Sequence, residues 1–123
     1  MKHSRTSKRI INSFYTVYNY LGYGFLEKVY EYALYYELIA CGLKCFRQVP
    51  IKVYYKDKQA GLYYADLIVE NIITGLKAAE NICQEHEYQL INYLKATDIE
   101  VGLLLNFGKE PQFKRKIFDN ELK

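Results

Sequence analysis

A chain of 123 residues is long enough for one domain with a sizeable core and too short for two. Half of the residues are apolar and a quarter charged, which excludes a disordered chain, and the formal net charge of +3 admits a polyanionic partner without requiring one. No apolar run reaches the ~18 residues of a membrane span, and the basic N-terminus leads into Tyr and Asn rather than an apolar segment, so a cytoplasmic protein with no membrane role is expected. Cys41, Cys45 and Cys83 form no paired metal-ligand motif, because Gly42 is expected to end a helix between the first two, and they read as reduced, partly buried thiols.

Residues 1–7 read as a flexible basic tail on a single domain spanning 1–123; Lys2, Arg5, Lys8 and Arg9 have no acid near them in residues 1–21. Over residues 8–20 the apolar positions Ile10, Ile11, Phe14, Val17 and Tyr18 recur at spacings that predict an amphipathic helix, punctuated by Gly22 and Gly24. A second helix is predicted over residues 25–40, with Leu26, Val29, Tyr30, Ala33, Leu34 and Leu38 on its buried side and Gly42 closing it. Glu27 and Glu31, one helical turn apart, share a face and can aim at the same place.

The pattern then changes to a period of two. Residues 46–55 read as a strand, with Pro50 favouring an edge position or a bulge. Lys56, Asp57 and Lys58 make a turn, residues 61–69 a second strand, Glu70-Asn71 a tight turn, and residues 72–78 a third strand. A two-residue turn sets Val69 against Ile72 and Asp66 against Gly75, and Lys77 shares a sheet face with Gly75. A helix over residues 84–96 and a short, strongly apolar strand over residues 101–107 follow, the latter expected to be covered on both faces. Residues 113–118 add a last strand, in which Lys114, Arg115 and Lys116 alternate and need not form one patch. The order predicts an α/β fold: a mixed sheet flanked by helices, with a crossover helix before residues 101–107.

Asp66 on one strand, Lys77 on the next, and Gln89 and Tyr93 four apart on a helix form the constellation with most chemical content. Together with Gly24-Phe25-Leu26-Glu27-Lys28-Val29-Tyr30, Arg47-Gln48-Val49-Pro50, Tyr63-Tyr64-Ala65-Asp66-Leu67, Leu76-Lys77-Ala78, the run from His86 to Thr97 and Val101-Gly102-Leu103-Leu104-Leu105-Asn106-Phe107-Gly108, it resembles the GxxExxY family of the PD-(D/E)XK nuclease-like superfamily over residues 8–118. The resemblance implies a restriction-endonuclease-like core and a phosphodiester site. Its catalytic set would be Lys77, Asp66, Glu27, Gln89 and Tyr93, with Asp66 and Glu27 as ligands to Mg²⁺ or Mn²⁺, no organic cofactor, and Glu31 a lesser contributor. The family reads Glu-Leu-Lys where this chain has Gly75-Leu76-Lys77, and the hairpin before it is one residue shorter.

Metal-dependent phosphodiester cleavage wants hard oxygen ligands and a cation near the scissile phosphate. Gly75 offers no side-chain oxygen, so the expected function is a nuclease-fold protein that binds nucleic acid with degenerate or weak metal-dependent phosphodiesterase activity. Glu31, Glu70, Glu80 and Glu85 are the acids from which a replacement could come. The alternative is a non-catalytic protein-interaction or assembly module on the same scaffold, as a homodimer or with another protein. Simpler readings stand beside each residue. Asp66 and Lys77 can be an ion pair between strands, Glu27 and Glu31 solvated helix carboxylates, Gln89 and Tyr93 a packing seam, and His86 a structural helix-start residue; Arg47 and Gln48 suit phosphate or plain surface equally. The fourteen tyrosines read mainly as core and interface packing, Tyr30, Tyr35, Tyr54 and Tyr64 among them.

Overall fold

The computed structural model describes residues 2–123. Helix α1 (Ser4–Leu21) and helix α2 (Glu27–Ala40) are followed by strands β1 (Cys45–Tyr55), β2 (Lys58–Val69) and β3 (Ile72–Lys77), then helix α3 (Gln84–Lys95), strands β4 (Val101–Phe107) and β5 (Pro111–Ile117), and a 3-10 turn at Asn120–Leu122. The five strands lie in chain order; β3 and β4 run parallel, joined by α3, and all other neighbours are antiparallel. Because β4 sits between two paired strands and beneath helices, all seven of its residues are buried, as its strongly apolar composition predicts.

Helix α1 starts at Ser4, inside the stretch expected to be a tail. Ser7 is buried, its hydroxyl accepts from Arg115 Nε at 3.3 Å, and Lys2 pairs with Glu100 at 3.1 Å and with Asp119. Arg115 turns toward α1 whereas Lys116 pairs with Glu87 of α3 at 2.7 Å, so the basic run of β5 divides between the two faces. Helix α2 buries Tyr30, Glu31, Leu34 and Leu38. Leu26 and Val29, expected on that buried side, are instead exposed: Leu26 is the residue before the helix, and the neighbouring Tyr30 and Ala33 already fill the interface. Gly42, at φ 83, ends the segment in a conformation that a side chain would strain.

Two cores result, one on each face of the sheet. Phe14, Tyr30, Leu34 and Leu38 of the first two helices meet Leu67, Ile72, Leu76, Leu103 and Phe107, and Tyr30 stacks on Phe107 with ring centroids 4.2 Å apart. On the opposite face Leu90 and Leu94 of α3 meet Ile51, Ala65, Ile73 and Leu104. Leu90 lies so close to β4 that a Cβ at Gly102 would come within 2.8 Å of it, which is why that strand position is glycine.

The β1–β2 hairpin changes layers part-way along. Gln48 takes a left-handed φ of 51 between the pairs Arg47↔Leu67 and Val49↔Ala65. On one side of that kink Cys45, Leu67 and Val69 enter the α1/α2 core; on the other, Ile51 and Ala65 enter the α3 core. Pro50 is tolerated because β1 is an edge strand. Asp66 lies at the crossover. No helix among the described residues is long and apolar enough to cross a membrane.

Candidate functional site

The turn Glu70-Asn71 has two residues, and the register Val69↔Ile72, Ile68↔Ile73, Leu67↔Thr74 places Gly75 next in line across from Asp66. The Asp66 side chain reaches diagonally, and its Oδ2 accepts from the backbone N–H of Leu76 at 2.8 Å. Burial pushes the Asp66 carboxyl above the ordinary carboxylate range. The Leu76 amide pulls it back, the negative charge of Glu31 adds to the rise, the Lys77 ammonium opposes it, and Glu27 adds a smaller increment. Both helical acids and the strand lysine therefore act on one carboxyl. The inter-strand ion pair is not formed: the ion pairs of the described residues do not include Asp66 or Lys77.

The two helical acids have different situations. Glu27 opens α2 and is exposed, where the positive helix end favours its charge. Glu31, one turn on, is only 4 % exposed and fully engaged. Its Oε2 accepts from Arg47 at 2.6 Å and Lys28 at 3.4 Å, and its Oε1 from Gln48 Nε2 at 2.7 Å. Arg47 in turn lies 3.7 Å from the centroid of the Tyr32 ring. Arg47 and Gln48, which suit either phosphate or plain surface by sequence, thus bind α2 to β1 at the hairpin kink. A carboxylate with both oxygens so occupied is not free to replace the acid missing at position 75. Of the other acids weighed for that role, Glu70 closes the base of the hairpin, accepting from the Lys44 amide at 2.7 Å, and Glu85 is bound at the start of α3, where its own backbone amide and then Cys83 lower its pKa.

From the other side comes α3. Tyr93 packs against the α3 core and beside Tyr63, with ring centroids 5.7 Å apart. Burial raises its phenol pKa, and the Asp66 charge raises it further, which puts Tyr93 in the same electrostatic neighbourhood. Gln89, one turn earlier, is exposed and shares a groove with Tyr93. His86 is structural: its Nδ1 accepts from the Cys83 amide at 3.3 Å in a capping box. Cys45 is buried, which pushes its thiol up to about 12, while Cys41 and Cys83 are exposed; none is paired.

Sequence reasoning passed over the residues that fix the frame. Asn106 pairs with Lys77 in the β3–β4 register and is fully buried. Its Oδ1 accepts from Ala79 N at 2.9 Å and its Nδ2 donates to Ala79 O at 3.0 Å, so it holds the chain that leaves Lys77. A Cβ at Gly108 would come within 2.5 Å of Ala79 O, so the same exit leaves room only for glycine. Tyr30 performs a parallel task before α2: its hydroxyl donates to Gly22 O at 2.7 Å and accepts from Phe25 N at 3.2 Å, tying down the loop that carries Gly24, at φ 111, into Glu27. The polar type of Asn106 within an apolar strand is the one signal that could have flagged it.

Gly75 itself is free of both usual reasons for glycine. Its φ is not in the left-handed region, and an added Cβ would meet only Leu104 Cδ1 at 3.6 Å, an ordinary contact. No group of three or more His, Cys, Asp or Glu side chains is arranged to hold a metal among the described residues. The donor set does not fit a tightly held ion, since Asp66 already gives one oxygen to Leu76, Glu31 is spent, and Glu27 is solvated.

Comparison with known proteins agrees with this frame. No curated protein and no solved structure matches the chain significantly. A sequence model described as the PD-(D/E)XK nuclease superfamily matches residues 4–117, nearly the whole chain. With a mixed five-stranded sheet between helices and this match over nearly its whole length, the chain belongs to the PD-(D/E)XK nuclease superfamily.

Proposed function

We propose that this protein is a member of the GxxExxY branch that binds nucleic acid at the Asp66–Lys77 site and cleaves phosphodiesters weakly or not at all. The observation that supports this reading is the asymmetry across β2 and β3: the Asp66 carboxyl feels the charges of Lys77, Glu31 and Glu27 and acts on Tyr93, while Gly75 has no side chain where a carboxylate is expected, although a Cβ there would meet only an ordinary contact. Lys77 supplies a cation for a phosphate, and Asp66 and Tyr93 supply an acceptor and a donor beside it. In an intact site of this superfamily a divalent ion supplies a bound water and offsets charge on the phosphate; here only Asp66 and Glu27 remain to recruit one.

The test is titration calorimetry with Mg²⁺ and Mn²⁺ on the natural protein, Asp66→Ala and Gly75→Glu, followed by cleavage assays on labelled single- and double-stranded DNA and RNA. Weak ion binding lost in Asp66→Ala and strengthened at least tenfold in Gly75→Glu is the expected result, because a Cβ at position 75 meets only Leu104 Cδ1, at an ordinary contact distance of 3.6 Å. Rapid cleavage by the natural protein would overturn the claim of weakness. Absence of any nucleic-acid binding would favour the interaction-module reading, for which the exposed Val29, Tyr32, Tyr36 and Ile39 of α2 are the specific observation.

A further inference from the structure

The outer part of the β1–β2 hairpin leans over α3 and leaves a groove of about 740 Å³, a size within the range of small-ligand sites. Tyr54 and Tyr63 line it from the hairpin and Tyr88 and Asn92 from the helix, with Lys52 and Lys95 among its walls. These are not core tyrosines. Tyr54 is 57 % exposed, Tyr63 50 % and Tyr88 58 %, although the sequence pattern assigns most of the tyrosines to packing. Three solvated rings beside amide side chains and two lysines, against the single acid Glu85, make a surface with a definite chemical preference. The rings offer stacking faces, Asn92 and Gln89 offer both donors and acceptors to a base edge, and Lys52 offers positive charge to a phosphate, while the Lys95 ammonium lies 5.5 Å from the centroid of the Phe118 ring.

We infer that this groove is a stacking subsite for an unpaired polynucleotide strand, which it leads toward Asp66 and Lys77 through Tyr93. The inference rests on the nucleic-acid reading proposed above and adds to it the strandedness of the ligand and the residues that grip it. Tyr93 belongs to both places: it lines the groove, and it feels the charge of Asp66. Duplex DNA keeps its base faces stacked internally and cannot present them to Tyr54 or Tyr88. Positive charge excess favours a polyanion over an acidic-ligand-repelling or purely apolar partner.

Fluorescence anisotropy with labelled oligo(dT), oligo(rU) and a duplex of equal length provides the test, using the natural full chain and its Tyr54→Ala, Tyr88→Ala and Tyr20→Ala variants. Tyr20, 89 % exposed and outside the groove, is the control, and melting curves verify that each variant is folded. Each groove substitution is expected to weaken single-strand binding about tenfold, with little change for duplex, as the loss of one base–aromatic stack predicts. The two homopolymers distinguish DNA from RNA. Single-strand binding unaltered in both groove variants would overturn the subsite while leaving the nuclease-fold reading intact. A natural protein that binds no polynucleotide would overturn both, and sedimentation showing that Tyr88→Ala dissociates a dimer would assign the groove to a second copy instead.

Discussion

The two faces of the sheet differ in how they are covered. Among the described residues, α1 and α2 enclose sixteen buried core residues with an aromatic centre at Phe14, Tyr30 and Phe107, while α3 alone encloses six on the other face. The thick face contains the buried Glu31 network and the tyrosine that ties down the loop before α2. The thin face leaves a groove open beside Tyr93, and Gly75 and Lys77 alternate with the buried Ile73 on that same face of β3. The denser packing therefore lies on the face opposite Gly75 and Lys77, and the more open packing on their own.

Core truncations should expose that difference most strongly. Leu34 is completely buried at the centre of the thick face, so Leu34→Ala should cost about 4 kcal/mol, toward the upper end of such substitutions. Leu90, on the single helix that covers the smaller core, has fewer buried neighbours, and Leu90→Ala should cost about 2–3 kcal/mol. Urea unfolding of both variants checks the order; equal losses would show that the thin face is packed as tightly as the thick one.

Glu31→Ala comes next. It leaves Arg47 and Gln48 without their common acceptor, and breaking a buried pair of this kind costs about 3 kcal/mol, at the low end of the usual range because Arg47 keeps some access to water. Glu31→Gln should recover part of the loss by accepting from one of the two partners. If Glu31 were instead a dispensable solvated carboxylate, calorimetric unfolding would register almost no change.

Much of the frame is legible in the chain because its signals are periodic and local. The hairpin register follows from the two-residue turn Glu70-Asn71, and the strongly apolar stretch from Val101 to Phe107 declares a strand covered on both sides. What resisted reading depends on contacts between distant segments. The sequence puts Glu27 and Glu31 on one helical face, yet only the approach of Arg47 and Gln48 from β1 makes Glu31 the engaged acid and leaves Glu27 in solvent. The tyrosines present the same difficulty: alternation along β1 and β2 assigns Tyr54 and Tyr64 each to a face of its own strand, but not whether a helix extends far enough to cover it. Asn106 shows the limit most plainly, since its partner Ala79 lies across the crossover and neither residue identifies the other in sequence.

The smallest predicted effect has the opposite sign. Burial raises the pKa of Asp66, which means that folding disfavours its charged form. The cost is absent at pH values below the unfolded carboxylate pKa, where the group is protonated in both states; it grows as pH rises through the folded pKa and is fully present above it. Asp66→Asn removes the charge while keeping a carbonyl oxygen able to accept from Leu76 N. The variant should therefore melt higher than the natural protein at neutral pH, with the advantage shrinking as the pH is lowered toward the unfolded carboxylate pKa. A melting advantage of that form, joined to loss of ion or nucleic-acid binding, is what a ligand-binding carboxylate held at a cost to stability produces. A lower melting temperature at every pH would make Asp66 a structural residue of the hairpin, and the site would then have to be sought around Lys77 without it.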